Sequence, residues 1–480
     1  MQTRRHFLKA GLGAAALIAA GRELPLFGAD AVRAPQFASK RPPLGDRRFQ
    51  SEAVEQKIGE MRGRIADPEL AWMFENCYPN TLDTAVNFQD AGGNPDTFVI
   101  TGDINAMWLR DSSAEVWPYL PLAKTDLKLL RLLQGVILRQ SQCILLDPYA
   151  NAFLQDPNEK SEWLSDYTIM KPGVHEHKWE IDSLCYPIRL AYGYWTATGD
   201  TAPFDAQWEQ AMDSVVATFR DQQRKDGRGG YYFQRDGAKP GPQDPIPDSA
   251  YGSPIKPNGL ICSRFRPSDD PTTYQFLIPS NFFAMVSLRQ MATMLDKVRH
   301  NPQKAAQAND LANEIEHALR KHATQKHPTR GKVYAYEMDG LGHSILTDEA
   351  TNTPSLLSLP YLGACKTSDK TYQATRRLVW SKDNPWFFEG KYTGVGGPHT
   401  GPDLIWPIGL MMYGLTSTSE SEVAMCLKTL KATHAETGFM HESFHKDDPS
   451  RYTRPWFAWA NSLFGEFVIQ TADRFPGALG

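Results

Sequence analysis

Apolar residues recur along this chain with the period of an α-helix, and almost nowhere with the period of a strand. Ala284, Leu288, Met291, Leu295 and Val298 step by fours and threes and mark one helix face. Ala308, Leu311, Ile315 and Ala318 repeat the pattern, and Trp456, Ala460, Leu463 and Phe467 do so near the C-terminus. Similar stretches cover about 67–77, 113–123, 126–146, 181–198, 204–224, 354–364, 370–380, 403–415 and 420–434. The pattern predicts roughly a dozen helices with few strands. Val333–Tyr336 and Tyr231–Phe233 read as short strands. No short-period repeat is visible, which argues against a TPR-like or ankyrin-like array.

Long loops rich in Gly, Pro, carboxylates and aromatics precede several of these helices. They are Asp103–Asp111, His175–Asp182, residues 226–280, Gly394–Asp403 and Phe439–Pro455. Loops of this length in a compact domain usually carry function. Alternation of such loops with helix pairs predicts an all-α (α/α)6 barrel, or toroid, whose long loops converge on one end. The catalytic domain is assigned to residues 51–480. Residues 32–50, rich in Pro, Arg and Lys, read as a linker or N-terminal wrap.

The first 31 residues read as an export address. Arg4 and Arg5 stand before Phe7-Leu8-Lys9, an Ala/Gly/Leu stretch runs from Ala10 to Ala20, and Ala29-Asp30-Ala31 offers a cleavage site. The apolar stretch is too short to span a bilayer. The expected product is a periplasmic or secreted protein with no integral membrane segment once the signal is removed. The net charge of −4 argues against nucleic-acid binding by general basicity. None of the 6 cysteines forms a CxxC pair. Cys143, Cys185 and Cys426 lie in apolar stretches and read as buried free thiols.

Several segments could carry chemistry. Arg266-Pro267-Ser268-Asp269-Asp270 either presents a general acid or forms an Asp-rich turn. Met440-His441-Glu442-Ser443-Phe444 either presents a base or places a glutamate in a surface salt bridge. Trp108, Arg110 and Asp111 either bind sugar hydroxyls or cap a helix with a structural ion pair. The glycines of 394–397 lack the Lys-Ser/Thr of a P-loop and read as a tight loop that brings His399 and Asp403 to the site. His175-Glu176-His177 has no metal-site spacing and reads as a surface loop. No G-x-S-x-G elbow is present, so acyl transfer is disfavoured. Carboxylates, arginines, histidines and many tryptophans on loops suit a glycoside-cleaving site with two carboxylates.

Taken together, six segments resemble glycoside hydrolase family 125, the bacterial and fungal exo-α-1,6-mannosidases. They are TGDINAMWLRDSSAEVWPYL, KWEIDSLCYPIRLAY, YGSPIKPNGLICSRFRPSDD, FLIPSNFFA, YTGVGGPHTGPDLIWPIGL and GFMHESFHKDDPSRYTRPWFAWANSLFGE. The resemblance implies an (α/α)6 barrel that hydrolyses α-1,6-linked mannose from the non-reducing end, with inversion. It implies Asp269 as general acid and Glu442 as general base, with no metal and no cofactor. Asp270 is the alternative acid. The expected partner is a mannose-containing oligosaccharide or glycan held by Trp108, Arg110, Asp111, Tyr251, Asn258, Asp270, His399 and His441. Arg110 is expected to offer the sugar a bidentate fork. An acid working near neutral pH needs a raised pKa, so Asp269 is expected in the drier environment and Glu442 within reach of water. A non-catalytic glycan-binding protein and a glycoside phosphorylase on the same fold are the alternatives.

Overall fold

Twelve α-helices form among the described residues, 37–235 and 249–480 of this computed structural model. They are α1 (Glu52–Arg64), α2 (Pro68–Cys77), α3 (Leu109–Val116), α4 (Leu127–Leu146), α5 (Ile181–Thr198) and α6 (Ala206–Gln222), followed by α7 (Ile278–Lys297), α8 (Pro302–His322), α9 (Lys370–Val379), α10 (Pro407–Leu415), α11 (Glu420–Ala432) and α12 (Ala458–Arg474). The signal assigned to residues 1–31, and residues 32–36 of the linker, lie outside the described residues. The chain divides into two units, Met1–Ala38 and Ser39–Gly480, and the second holds every element described below.

Burial sorts the helices into two layers. All nine residues of α10 are buried, as are α3 throughout and most of α5, α7 and α12. Helices buried on every side belong inside a large fold. Helix α3 packs on α5, α5 on α7, α10 on α12, and α12 back on α3, which builds an inner layer. Helices α4, α6, α8 and α11 are buried on one face and form the outer layer. The result is the expected (α/α)6 toroid. Helix α4 is long and apolar enough to cross a membrane, but 61% of its most apolar stretch is buried in the fold.

The layers also start differently. Four helices outside the inner layer begin at side chains that accept hydrogen bonds from the first turn, Asp126 for α4, Asp205 for α6, Asn301 for α8 and Asp369 for α9, whereas α11 follows Ser419 without such a cap. Each such cap contributes about 1 kcal/mol. Inner helices start at Trp108, Glu180, Leu277, Trp406 and Phe457, none of which caps through its side chain. Small three-stranded sheets hold those starts instead. Met107–Trp108, Ala152–Phe153 and Val174–Glu176 form one, and Leu404–Ile405, Ser443–His445 and Tyr452–Thr453 form another.

Three expectations need correction. Residues 354–364 form turns, not a helix. Pro360 interrupts the segment, and Ser355 and Ser358 bond each other's backbone N–H groups, competing with a helical ladder. Tyr231–Phe233 is not a strand, and only Gln234 bridges to Tyr167. Helix α1 was not anticipated, because Gly59 and Gly63 weaken its local preference. All six cysteines are free, and Cys143, Cys185 and Cys426 are buried.

From Ser39 onward the presumed linker belongs to the compact unit. The Arg41 side chain is 5% exposed and donates to both carboxylate oxygens of Asp83, at 2.7 and 3.1 Å, and to both of Glu55. Asp83 is 2% exposed, so losing Arg41 would strand a buried charge with only Arg47 nearby at 3.7 Å. Arg41→Ala should lower the unfolding free energy by about 2–3 kcal/mol. Urea unfolding of the two proteins checks this, and an unchanged midpoint would mean the segment is only draped over the surface.

Candidate active site

The uncapped starts of α3, α10 and α12 line one cavity of about 540 Å³. The positive ends of their dipoles favour carboxylates there. Trp108, Arg110 and Asp111 of the α3 start line it, with Trp406 before α10 and Phe457 and Trp459 at the start of α12. Asp269, His399 and Glu442 complete the wall. Six of the sequence-predicted residues are thus brought together: Trp108, Arg110, Asp111, Asp269, His399 and Glu442.

Four are not. Tyr251 lines a separate surface cavity of about 390 Å³ with Arg228, whose guanidinium lies over its ring. Asn258 accepts the backbone N–H of Leu260 and serves a turn. His441 is 1% exposed, stacks on Tyr452 at 3.7 Å and does not line the cavity. Asp270 is 1% exposed and pairs with Nδ1 of His399 at 3.0 Å. It acts on the cavity through that histidine.

The neighbouring aspartates part because of the backbone. Asp269 has a φ of 66°, a left-handed conformation that aspartate tolerates better than most residues. The Arg266 N–H donates to the Asp270 carbonyl, and the Asp269 N–H to the Arg266 carbonyl, which closes the turn. Both readings of this segment therefore hold: it is an Asp-rich turn and it presents a carboxylate to the cavity.

Arg110 is 4% exposed and sits among four carboxylates. Nη1 donates to Glu180 Oε2 at 2.5 Å and to Asp182 Oδ2 at 3.2 Å, and Nη2 donates to Asp269 Oδ1 at 3.0 Å. Nε lies 3.4 Å from Asp111 Oδ2. The expected bidentate fork to a sugar is therefore engaged by protein carboxylates. Burial, only partly offset by Arg110, pushes Asp182 up to about 6 and Glu180 well above the carboxylate range. Asp269 goes the other way. Burial raises it, but the charges of Arg110 and Lys178 and a hydrogen bond from Glu180 outweigh that and hold it below the usual range. Its side chain is also 22% exposed against 8% for Glu442. The expectation that Asp269 is the drier, raised group fails in the free protein, because Arg110 stands beside it.

Glu442 leads into the strand Ser443–His445. Oε2 accepts from the Thr453 hydroxyl at 2.9 Å, and Arg454 approaches Oε1 at 3.7 Å. It is buried, which removes the surface salt-bridge alternative. The glycine loop is tight for packing reasons: a Cβ on Gly396 would lie 2.0 Å from the Leu404 carbonyl oxygen. Asp403, expected to reach the site with His399, is half-buried, does not line the cavity and pairs with Lys446 at 2.8 Å.

The His-Glu-His segment is not a surface loop. His175 is buried, meets Trp108 edge-on and lines the cavity. His177 is buried and approaches Asp147 at 3.3 Å through Nε2. Glu180, Lys178 and Arg235 were missed as site residues. Arg235 stacks on Trp163 at 3.6 Å and donates to Asp166 and Glu176, and all four line the same cavity. Glu180 and Lys178 lie in a loop that composition had already marked, so the signal was present but not assigned to single residues.

Comparison with known proteins decides the family. The sequence profile of the metal-independent α-mannosidases, glycoside hydrolase family 125, matches residues 67–469. The chain belongs to this family. The chain is 39% identical over 466 residues to the Meiotically up-regulated gene 157 protein of Schizosaccharomyces pombe, covering 92% of this chain and 89% of that one. A metal-independent α-mannosidase of Streptococcus pneumoniae, solved in a non-productive complex with α-1,6-mannobiose, is 40% identical. It covers 89% of this chain and 99% of that one, with a TM-score of 0.84. A glycosidase at 14% identity and a TM-score of 0.51, covering 84% of this chain and 96% of its own, shares the fold alone. Membership of family 125 makes the chain a glycoside hydrolase of the α-mannosidase type.

His399 yields a prediction about charge in this site. Burial works against its protonation, but the hydrogen bond and charge of Asp270, with Glu442 and Asp269 nearby, raise it to about 8. A raised histidine contributes stability that is full below about 6.5 and lost as pH rises through about 8, a loss of about 2 kcal/mol. In Asp270→Asn the midpoint of His399 should fall to about 6.5 or below. Imidazole NMR titration of both proteins reads this directly, and a midpoint unmoved by the substitution would separate the pair.

Proposed function

We propose that this family 125 enzyme is an inverting, exo-acting α-mannosidase that removes non-reducing terminal α-1,6-linked mannose from glycans. The observation that carries the reading is the pair of carboxylates, Asp269 and Glu442, presented to one aromatic-walled cavity from loops before different inner helices. The relative bound to α-1,6-mannobiose supports the linkage. Aromatic faces of Trp108, Trp406 and Trp459 suit the C–H faces of a pyranose, and the charged wall suits its hydroxyls.

In this reading Asp269 gives a proton to the glycosidic oxygen as the C1–O bond breaks. Glu442 takes a proton from the water that attacks C1 from the opposite face. Inversion needs room for that water, so the carboxyl groups should stand about 6.5–9.5 Å apart in the working complex. His399, charged below about 8, lies near both carboxylates and offsets their repulsion.

Stereochemistry and leaving-group dependence test the assignment together. Proton NMR of early product from an α-1,6-mannobiose should show β-mannose first, and α-mannose first would make one carboxylate a nucleophile. Asp269→Asn should cut disaccharide hydrolysis by about 100-fold or more while sparing an activated aryl α-mannoside. Glu442→Gln should impair both substrates, because water attack is common to them.

We propose further that residues 1–31 export the enzyme by the twin-arginine route, on the strength of Arg4, Arg5, the apolar stretch and the Ala29-Asp30-Ala31 site. Replacing Arg4 and Arg5 by Lys should leave folded precursor in the cytoplasm of the host. Fractionation with an immunoblot checks it, and undiminished export of that variant would remove the assignment.

A further inference from the structure

Arg110 is the only cation in direct contact with Glu180 and Asp182 among the described residues, and it also serves Asp111 and Asp269. Four ionised carboxylates against one guanidinium would leave three uncompensated negative charges. Glu180 and Asp182 are 0% exposed, so water cannot disperse that charge. A buried cluster of this kind must hold protons.

The geometry locates one of them. Glu180 Oε2 accepts from Arg110 Nη1 at 2.5 Å and from the Ser183 hydroxyl at 2.9 Å. Glu180 Oε1 is buried and meets no N–H or hydroxyl donor. Nη1 and Nη2 of the one Arg110 guanidinium hold Glu180 and Asp269, so the two carboxyl groups lie side by side on the same cation. Two carboxyl groups can share a hydrogen bond only if one proton lies between them. Glu180 is the dry member, at 0% exposed, and Asp269 is the member open to the cavity, at 22%.

We propose that Glu180 is the proton store of the reaction: the free enzyme keeps one proton on Glu180 against ionised Asp269, and sugar binding moves it to Asp269. This deepens the assignment of Asp269 as the acid and rests on it. A sugar that fills the cavity expels water from Asp269 and removes the solvation that favours its charged form. Glu180 is already dry and loses nothing further. The proton then crosses one hydrogen bond, from the Glu180 carboxyl to the Asp269 carboxylate. Asp269 delivers it to the glycosidic oxygen as the C1–O bond breaks, and Glu442 takes a proton from the attacking water. Afterwards the Glu180–Asp269 pair lacks one proton and Glu442 holds one extra. Exchange with solvent restores both.

Charged and titratable groups face the pair from several elements. Arg110 and Asp111 come from α3 and Asp182 from the first turn of α5. Tyr231 faces Glu180 from the segment after α6, while Lys178, His399, His175, Glu176 and Asp111 face Asp269. Lys178 and Arg110 keep Asp269 ionised until substrate arrives, which explains how a carboxyl held low by its neighbours can still act as an acid.

Glu180→Gln tests the idea, since it keeps shape and a hydrogen bond but cannot pass on a proton. Wild-type enzyme is assayed first on α-1,6-mannobiose. Failure there would overturn the proposed activity, and with it the role drawn from it. Given wild-type activity, Glu180→Gln should lower kcat/KM on the disaccharide by about 100-fold and on an activated aryl α-mannoside by less than about tenfold. Its basic pH limb should move toward acid by about one unit or more, because Asp269 must then draw its proton from solvent against Arg110. Equal losses on both substrates, or an unmoved basic limb, would make Glu180 structural and overturn the proposal while leaving the mannosidase reading intact. Should the variant not fold, infrared difference spectra of wild-type enzyme with ¹³C-labelled glutamate carboxyls serve instead. Mannose binding should remove a protonated carboxyl band that shifts with the label and create an unlabelled one. No label-sensitive loss would overturn the proposal.

Discussion

One buried guanidinium holds this site together. Arg110 stands in the first turn of α3 and reaches Glu180 and Asp182 at the start of α5 and Asp269 in the turn that leads towards α7. Those three stretches are far apart in sequence and belong to three consecutive members of the inner layer. Removing the cation would leave buried carboxylates facing one another, at a cost of about 3–5 kcal/mol or a set of added protons. The same contacts that set the spacing of the inner helices therefore also set the charge on the carboxylate that faces the cavity. Stability and chemistry cannot be varied independently there.

The toroid makes such a cluster possible by leaving its inner helix starts open. Helices α4, α6, α8 and α9 each satisfy a first-turn N–H group with a side chain, Asp126, Asp205, Asn301 and Asp369. Inner helices begin at Trp108, Glu180, Trp406 and Phe457 without a side-chain cap, and α3, α10 and α12 bring their positive dipole ends to the cavity. Short sheets tie the loops between them. A cluster of partial positive charge is a favourable place to collect carboxylates, and the cavity wall carries Asp111, Glu162, Asp166, Glu176, Asp269 and Glu442.

Much of this was legible in the sequence, for reasons that also mark where reading stops. Helical periodicity reports burial on one face, so the stripe Ala308, Leu311, Ile315 and Ala318 identified buried positions of α8. It is silent about competing local bonds, so the apolar segment 354–364 looked helical although Ser355 and Ser358 fold it into turns. Loop composition found the neighbourhood of the site, and Trp108, Arg110, Asp111, Asp269, His399 and Glu442 meet there. It could not tell which way a side chain faces. Tyr251, Asn258 and His441 share the site's segments but serve a separate cavity, a turn and a stacked ring pair. Glu180 looked like one more loop carboxylate, and only the three-dimensional placement of Arg110 distinguishes it.

The segment Ser268-Asp269-Asp270 shows why local and functional readings need not compete. A left-handed residue is required for the turn, and aspartate is among the few side chains that accept that conformation. Once Asp269 takes it, its carboxylate meets Arg110 and the cavity, while Asp270 turns back to His399. Asparagine would satisfy the turn but could not carry a proton, and glutamate could carry a proton but would strain the turn. The backbone and the charge cluster thus select the same residue for different reasons. The second aspartate completes the arrangement, because through His399 it places a positive charge near Asp269 and Glu442. Two adjacent residues of one type therefore act on one cavity, one by facing it and the other by holding a partner that does.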